Sequence, residues 1–272
     1  MYVSVALTDG LGNRFFQVAA MLWYAERSGR TPLFVREWMA AERHPPAHPI
    51  TAYFPRIAIT DHAPAGRWVT LRAPDAFAAP QEELLEAVDD RLFVRLEGWF
   101  QHVDFLPSLM LHFSDAMKLL STASIPPTVA YESAAFIHIR RGDYLHAACA
   151  HHRVDLANYY ALALSLLSDA AAIVVVSDDM DWARVNLPRL YPDVDAQRWY
   201  FCDRLNDFQT LGVMMCCGHG GIVANSTFSW WGAFFGHLGA ARRIYTMPGT
   251  WGLPPLPAEV ALYPSWATVL PV

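Results

Sequence analysis

From Tyr131 onward, short apolar runs alternate with longer segments whose apolar residues recur at helical spacing. Polar residues follow the runs 134–139 and 173–176, which is typical of buried strands. Strands that alternate with helices predict a parallel, doubly wound α/β sheet. The expected elements are strands at 134–139, 173–176, 199–201, 222–224 and 243–246, and helices that open near Asp155, at Asp181 with a stop before Pro188, at Asn206 with an end at Gly218, and after 225–231 with an end near Gly239.

The first half of the chain also opens with a strand, a glycine-containing turn and a helix, but its middle is less regular. Pro, Ala and His are frequent there, which is typical of loops. The expected elements are a strand at 2–7, a helix that runs to Glu26 and stops at Gly29, loops over 40–80, a helix near 80–88 and a strand at 92–96.

The length of 272 residues allows two domains. Small residues and paired prolines at 121–127 fit a linker between them. The sequence therefore predicts an N-terminal α/β domain at 1–125 and a C-terminal α/β domain at 126–272.

Composition narrows the class of function. The chain is 54% hydrophobic and carries a net charge of −6, so a large core is available, and a nucleic-acid partner, which needs a basic stripe, is not expected. No apolar run reaches the length of about 18 residues that a membrane span needs, and the first residues lack the basic start of a signal peptide. We therefore expect a soluble, cytoplasmic protein without a transmembrane segment.

Three expected strand ends in the second half carry side chains suited to a nucleotide. Ligands of open α/β sheets collect outside the carboxyl ends of the strands. Guanidinium groups and a helix N-terminus bind phosphate, and one carboxylate can accept from both N1–H and the amino group of guanine. The side chains are the guanidinium groups of Arg140 and Arg141, the carboxylates of Asp178 and Asp179, and the hydroxyls of Ser226, Thr227 and Ser229.

Simpler structural roles remain open for these residues. The arginines can pair with Asp143 on a solvated turn, and Ser226 can act as an N-cap. Asp179 and Asp181 can hold Mg²⁺ with a nucleotide, or can be partners of a helix dipole. His138 can be a satisfied core histidine.

The turn after the first strand contains Gly10 and Gly12 but lacks the third glycine of a dinucleotide fingerprint. No acidic residue ends the second strand at the expected position either, since Val35 is followed by Arg36. An NAD-dependent oxidoreductase is therefore only a weak alternative.

Four segments of the chain carry recognisable motifs, in the order 10–17, 138–144, 176–179 and 224–233. Together they are similar to the motifs of the α-1,2-fucosyltransferases of glycosyltransferase family 11, and a fifth, softer similarity lies at 96–101. The resemblance implies a GT-B-like fold of two Rossmann-like domains that face a central cleft. It also implies inverting transfer of L-fucose from GDP-β-L-fucose to the 2-hydroxyl of a terminal β-galactose on a glycan, without a metal or other cofactor.

The resemblance also assigns roles residue by residue. Arg140 is implied to hold the β-phosphate, and His138 and Asp178 to contact guanosine. Asn13, with Gly12 and Arg14 beside it, is implied to lie on the acceptor side. The residues that line the diphosphate are implied to be Ser226, Thr227, Phe228 and Ser229.

Two residues depart from the family pattern and one role stays open. Asp9 stands where a glycine is usual and Arg14 where a glutamine is usual, so acceptor choice is in question. Asp143 is the candidate general base, because a carboxylate near the acceptor hydroxyl assists an inverting transfer. It can instead orient Arg141, and a loose transition state needs little help from a base. A catalytically weak nucleotide-sugar or glycan-binding protein with this fold is the alternative that the Arg14 substitution keeps open.

Overall fold

The computed structural model describes residues 1–41, 46–72, 88–106, 110–127, 129–240, 243–252 and 262–272. The chain divides into two compact units. The N-terminal unit contains Met1–Ser121 with Ala258–Leu262, and the C-terminal unit contains Thr122–Pro257 with Tyr263–Val272. Among the described residues, no helix is both long enough and apolar enough to cross a membrane.

The N-terminal unit contains a five-stranded parallel sheet with the strand order β3-β2-β1-β5-β4. The chain adds β2 and β3 on one side of β1 and then crosses to the other side. The order in which strands are added therefore reverses between β1 and β5, which is the switch point of this sheet. The strands are β1 (Tyr2–Val5), β2 (Thr31–Val35), β3 (Ala58–Thr60), β4 (Trp68–Arg72) and β5 (Phe93–Glu97), and the described helices are α1 (Leu11–Ser28), α2 (Ile50–Tyr53) and α3 (Met110–Leu120).

The first helix and its end follow the prediction. Gly29 adopts the left-handed conformation with φ of 65° and donates its N–H to the Ala25 carbonyl, which stops α1. The expectation of loops over 40–80 is wrong, because α2, β3 and β4 lie within that range. Both strands are sheet edges with partly exposed residues, so they lack the apolar runs that predict strands. The helix expected near 80–88 lies outside the described residues except for Val88.

The C-terminal unit contains a six-stranded parallel sheet with the order β11-β10-β9-β6-β7-β8. Counted from β6, this is the doubly wound order in which the chain reverses direction between β6 and β9. The strands are β6 (Ala134–Ile139), β7 (Ala172–Ser177), β8 (Trp199–Phe201), β9 (Gly220–Ile222), β10 (Ile244–Pro248) and β11 (Ala267–Leu270), and the helices are α4 (Ala157–Leu166), α5 (Met180–Leu190), α6 (Asp207–Cys216) and α7 (Thr227–Gly239).

The core of this unit explains why the sequence predicted it well. All six residues of β6 are buried, so apolar character and strand coincide there. One face of β6 and β7 packs against α4 and α5. The residues in this cluster include Ala135, Ile137, Tyr159, Ala163, Leu164, Ile173, Val175, Ala183 and Leu187. The predicted α/β class with parallel sheets is confirmed in both units.

Some details of the C-terminal unit differ from expectation. The strand β9 lies at Gly220–Ile222 and not at the expected 222–224, because Gly220 and Gly221 have no apolar side chains to mark a strand. The helix expected to stop before Pro188 continues to Leu190, with the proline in its last turn. A proline so close to the helix end disrupts few helical hydrogen bonds, and Leu187 and Tyr191 on either side of it are buried. The edge strand β11 was not expected, because two of its four residues are exposed and no apolar run marks it.

Candidate functional site

The main candidate site lies at the carboxyl ends of β6 and β9, the switch point of the C-terminal sheet. The segment 140–144 follows β6, and the segment 223–226 follows β9. The two segments are joined directly, since the Tyr144 hydroxyl donates to the Asn225 carbonyl oxygen at 2.9 Å. Ligands of doubly wound sheets bind at this position.

Arg140 lies at the centre of this switch point. Its guanidinium forms ion pairs with Asp143 Oδ1 at 2.7 Å and with Asp178 Oδ2 at 2.8 Å. The guanidinium carbon also lies 5.4 Å from the centre of the Tyr144 ring. The Arg140 side chain is 27% exposed. Its charge is therefore compensated within the protein but still reaches solvent.

Arg141 has a different set of partners. Its Nε donates to Asp179 Oδ2 at 3.0 Å, and its guanidinium carbon lies 3.9 Å above the Trp182 ring. The sequence left open that Asp143 orients Arg141, but Asp143 pairs with Arg140 instead. The two guanidinium groups thus pair with different carboxylates, and Arg140 is the arginine beside Tyr144.

Asp178 joins both arginines. Its Oδ1 accepts the Arg141 backbone N–H at 2.8 Å, and its Oδ2 pairs with Arg140. A Cβ atom on Gly142 would lie only 2.6 Å from Asp178 Oδ2, so a larger residue here would displace the Asp178 carboxylate from Arg140. Each carboxylate oxygen of Asp178 already has one partner, so a contact with guanine would use its remaining acceptor positions or replace one of these partners.

His138 is a neutral, buried side chain near the carboxyl end of β6. It is 4% exposed, and burial together with the charge of Arg140 lowers its pKa to about 3. Its Nδ1 has no hydrogen-bond partner among the described residues. The ring centre lies 6.0 Å from that of Phe228. His138 is therefore in the core but not satisfied there.

The first turn of α7 places a helix N-terminus at the carboxyl end of the C-terminal sheet, after β9. Ser226 holds the N-cap position, but its side chain makes no capping hydrogen bond, and the first helical bond runs from Trp230 N–H to the Ser226 carbonyl at 3.1 Å. Ser229 is buried, and its hydroxyl donates to the same carbonyl at 3.3 Å. Thr227, Phe228 and Ser229 form the first turn, whose N–H groups and dipole favour an anion.

The acidic residues after β7 have structural partners. Asp179 caps α5 by accepting the Trp182 N–H at 3.2 Å, and it also pairs with Arg141. Asp181 lies in the first turn of α5, where it complements the helix dipole. In the described ranges of the chain, no group of three or more His, Cys, Asp and Glu residues is arranged to hold a metal ion.

A buried network beneath Arg140 was not predicted from the sequence. The Asn225 side-chain amide donates to the carbonyls of His152 at 2.9 Å and Trp251 at 3.1 Å. The Tyr144 ring stacks on His152 at 4.7 Å, and burial raises the pKa of Tyr144 to about 12. Tyr144 and Asn225 both lie in the motif blocks, but their backbone partners cannot be seen in a sequence.

The N-terminal unit has a second polar cluster at the switch point of its own sheet. Gln101, after β5, donates from its side-chain amide to Asn13 Oδ1 at 2.9 Å. The buried Gln17 side chain bonds the Thr8 backbone N–H and hydroxyl at 3.0 and 2.9 Å, and it donates to the Gly98 carbonyl at 3.1 Å. These bonds fix the ends of β1 and β5 to each other.

Arg14 and Asp9 have clear structural roles in this unit. Arg14 is 4% exposed and donates to the carbonyls of Asp9 at 3.0 Å and Ala40 at 2.6 Å. Arg14, which the resemblance places on the acceptor side, is therefore a buried side chain that ties the turn to the Ala40 backbone. Asp9 adopts φ of 60°, where glycine is favoured and Asp is tolerated. Gly12 is buried, whereas Gly10 faces open space.

A doubly wound sheet with arginines and a helix N-terminus at its switch point is typical of α/β proteins that bind phosphorylated ligands. Comparison with known proteins agrees with this class. The model of glycosyl transferase family 11 matches residues 130–267, just over half of the chain. The chain belongs to glycosyl transferase family 11.

Individual relatives were also found. The O-antigen biosynthesis glycosyltransferase WbnK of Escherichia coli is 31% identical over 161 residues, which cover 55% of this chain and 50% of WbnK. The chain thus spans about half the length of this curated relative. Among solved structures, NodZ alpha-1,6-fucosyltransferase soaked with GDP-fucose matches with a TM-score of 0.45 and 14% identity, over 87% of this chain and 92% of NodZ. POFUT1 in complex with GDP-fucose matches with a TM-score of 0.41 and 11% identity, over 85% and 93% of the two chains.

Proposed function

We propose that this protein transfers L-fucose from GDP-β-L-fucose to the 2-hydroxyl of a terminal β-galactose on a glycan, with inversion at the anomeric carbon. Membership of glycosyl transferase family 11 supports sugar transfer. The four sequence blocks that resemble the α-1,2-fucosyltransferases support fucose as the sugar and the galactose 2-hydroxyl as its acceptor.

The observation that carries the proposal is the position of Arg140 at the switch point of the C-terminal sheet, within the region that the family model matches. Negative charge develops on the departing GDP during transfer, and a preorganised cation stabilises it. Arg140 is already oriented by Asp143, Asp178 and the Tyr144 ring. On donor binding, the β-phosphate takes the place of at least one of these carboxylates.

The remaining donor contacts come from β6 and α7. Within the described ranges His138 Nδ1 has no hydrogen-bond partner, and we propose that this buried atom bonds the nucleoside once the donor displaces the side chains that cover it. The first turn of α7 offers backbone N–H groups and the Ser226 and Thr227 hydroxyls to the diphosphate, whereas the Ser229 hydroxyl is buried against the Ser226 carbonyl and supports the turn. With these groups and two arginines present, we propose that transfer needs no metal ion.

Asp143 is the proposed general base, and its ion pair suggests how it becomes available. In the structure the carboxylate neutralises Arg140. When the diphosphate binds Arg140, Asp143 loses this positive partner, and its carboxylate is then free to accept the proton of the attacking hydroxyl. In this proposal, one exchange of partners both binds the donor and prepares the base.

We place the acceptor at the N-terminal unit's polar cluster, with Asn13 as its main polar contact. The Asn13 side chain carries both donor and acceptor groups, which a sugar hydroxyl requires. A binding protein without turnover was an alternative mainly because of Arg14. The burial of Arg14 and its bonds to two backbone carbonyls give that substitution a structural role, which supports the enzyme over this alternative.

The test is incubation of the purified protein with GDP-fucose and a panel of galactosides that includes lactose and galactose-terminated O-antigen oligosaccharides. We expect a fucosylated product by mass spectrometry, with an α-1,2 linkage by methylation analysis. Fucose on O3, O4 or O6 would refute the regiochemistry. Binding of GDP-fucose without any product would favour the binding protein instead.

A further inference from the structure

Trp99 is unusual among the aromatic residues of this protein. All ten tryptophans lie within the described residues, and Trp99 is the most exposed of them, with 45% of its surface accessible to solvent. Its ring contacts no other aromatic ring or cation among the described residues. Phe100, the next residue, is 3% exposed and packs edge-on against Phe105 at 5.8 Å.

The exposed ring is nevertheless held in place. The Trp99 indole N–H donates to Asp9 Oδ2 at 2.7 Å. Asp9 is itself fixed, since its φ is 60° and its carbonyl accepts from the buried Arg14. The residue before Trp99 is also held, because the Gly98 carbonyl accepts a hydrogen bond from the buried Gln17 side chain at 3.1 Å. An exposed indole that is anchored at its only polar atom loses little further entropy when a ligand covers its face.

The backbone around Trp99 is also strained in a way that favours a ligand site. Gly98 has φ of 152°, and Phe100 has φ of 52°, a conformation that is rare for a bulky residue. Such conformations persist only where the surrounding structure enforces them, and they cluster at ligand sites. Here they direct one aromatic ring into the core and the neighbouring ring to solvent.

The polar neighbours have the chemistry of a sugar site. The Asn13–Gln101 amide pair lies at the same pair of strand ends. Asp9 Oδ1 has no hydrogen-bond partner in the described part of the chain and can accept from a hydroxyl. A galactose ring has one face lined with C–H groups, because its axial 4-hydroxyl projects from the other face. The apolar face suits an indole ring, and the hydroxyls suit the amides and the carboxylate.

We infer that Trp99 is the stacking platform of the acceptor sugar and that Asp9 holds it in place. This inference rests on the proposed function for its choice of galactoside. Because a glycine is usual at the position of Asp9 in the resembling family, the anchor is a feature of this chain and bears on which acceptors it takes.

The kinetic test compares Trp99→Ala with wild type. We expect the lactose KM of Trp99→Ala to rise at least about tenfold, the factor that about 1.4 kcal/mol represents. The GDP-fucose KM stays within about twofold, since the donor contacts are elsewhere. Ile59→Ala is the matched control, because Ile59 is an exposed apolar residue of the same sheet. An unchanged lactose KM in Trp99→Ala refutes the platform.

The anchor is tested with two variants of Asp9. Asp9→Gly fits the left-handed backbone but removes the indole's acceptor, whereas Asp9→Asn keeps an oxygen for it. We expect the lactose KM to rise several-fold in Asp9→Gly and clearly less in Asp9→Asn, in which the indole keeps its acceptor but an amide N–H replaces Oδ1 toward the sugar. Equal effects in the two variants would refute the positioning role.

A binding measurement separates this inference from the proposed function. Iodide quenching of tryptophan fluorescence reports on exposed indoles, and the difference between wild type and Trp99→Phe isolates Trp99. We expect saturating lactose to protect that component. Protection without any transfer from GDP-fucose would refute the proposed function and support the platform. Transfer by wild type without protection would refute the platform alone.

Discussion

The hydroxyl of Tyr144 donates a 2.9 Å hydrogen bond to the backbone carbonyl of Asn225, which joins the segment after β6 to the segment after β9. Arg140 lies against the ring of the same tyrosine. The Asn225 side chain in turn donates to the carbonyls of His152 and Trp251. The position of the arginine is therefore set partly by a contact that spans the switch point of the sheet.

Tyr144→Phe removes this hydroxyl and keeps the ring. A hydrogen bond of this kind contributes about 0.5–1.5 kcal/mol, so we expect a similar loss of unfolding free energy. We also expect the GDP-fucose KM to rise several-fold, because the ring beside Arg140 loses its anchor. Tyr191→Phe is the control, since its hydroxyl donates to the Ala157 carbonyl at 3.1 Å within the core. Equal donor KM values in the two variants would contradict the positioning role.

Arg140→Ala tests the proposed phosphate contact. Charge-assisted hydrogen bonds contribute about 1.5–3 kcal/mol each, so turnover should fall at least about 10²-fold. Arg140→Lys should not restore it, because an ammonium group cannot replace the planar fork. Arg184→Ala serves as control, since Arg184 forms an exposed ion pair with Asp203 at 2.6 Å in the same unit. Near-normal turnover in a folded Arg140→Ala protein would rule out the assignment.

Asp178→Ala distinguishes two possible roles of the Asp178 carboxylate. One is to position Arg140 and the Arg141 backbone, and the other is to recognise the guanine base. Since Asp178 pairs with Arg140 and the Arg141 N–H, we expect GDP and IDP to lose affinity by similar factors in calorimetry. Inosine lacks the 2-amino group of guanine. If Asp178 instead accepts from guanine N1–H and the amino group, wild type prefers GDP over IDP and the variant loses that preference.

The neutral, buried His138 makes stability depend on pH. Its pKa is about 3 in the folded protein, below the usual 6.5, so between these values the unfolded chain binds a proton that the folded protein does not. The unfolding free energy is therefore full above pH 6.5 and falls below it, by up to about 1.4 kcal/mol per pH unit from this residue. We expect His138→Phe to reduce this slope in denaturant titrations.

The control for this slope is His62→Asn. The pKa of His62 is raised by the hydrogen bond to Glu37, so its contribution to stability is constant between pH 4.5, the usual pKa of Glu37, and pH 6.5. Other histidines with pKa values lowered by burial add slopes of the same sign, so the difference between variants is the quantity to measure. They are His102, His112, His152 and His237. An unchanged slope of unfolding free energy against pH in His138→Phe would show that the pKa of His138 is not lowered in the folded protein.

Chelation tests whether transfer needs a metal ion. We expect EDTA to leave most of the activity, because Arg140, Arg141 and the α7 N-terminus supply the positive charge that a diphosphate needs. Complete loss that Mn²⁺ or Mg²⁺ restores would instead make Asp179 and Asp181 ligands, and would require Asp179 to leave Arg141.

The sequence predicted the parts of the fold in which a single local property decides the structure. β6 was predicted to the residue, because each of its side chains is apolar or buried. The edge strands β3 and β4 were missed, because their pairing depends on neighbours distant in sequence. The extension of α5 past Pro188 depends on the burial of Leu187, which only packing reveals.

In the candidate site as well, the sequence predicted what depends on neighbouring residues and missed what depends on residues distant in the chain. The arginines were predicted because they directly follow an apolar strand. Their partners were not, since the pairing of Arg140 with Asp178 follows from the register that sets Ile139 beside Ser177 in adjacent strands. The burial of Arg14 likewise depends on the Ala40 carbonyl, 26 residues away.

The ion pairs around Arg140 and Arg141 have a consequence for the kinetics of donor capture. Two guanidinium groups there face the carboxylates of Asp143, Asp178 and Asp179, so this cluster carries one net negative formal charge before a donor arrives. A nucleotide diphosphate is therefore not drawn in from a distance, since long-range steering needs opposite charge. Added salt screens the repulsion, and donor association should become faster as ionic strength rises, the reverse of the usual behaviour of an open cationic phosphate site.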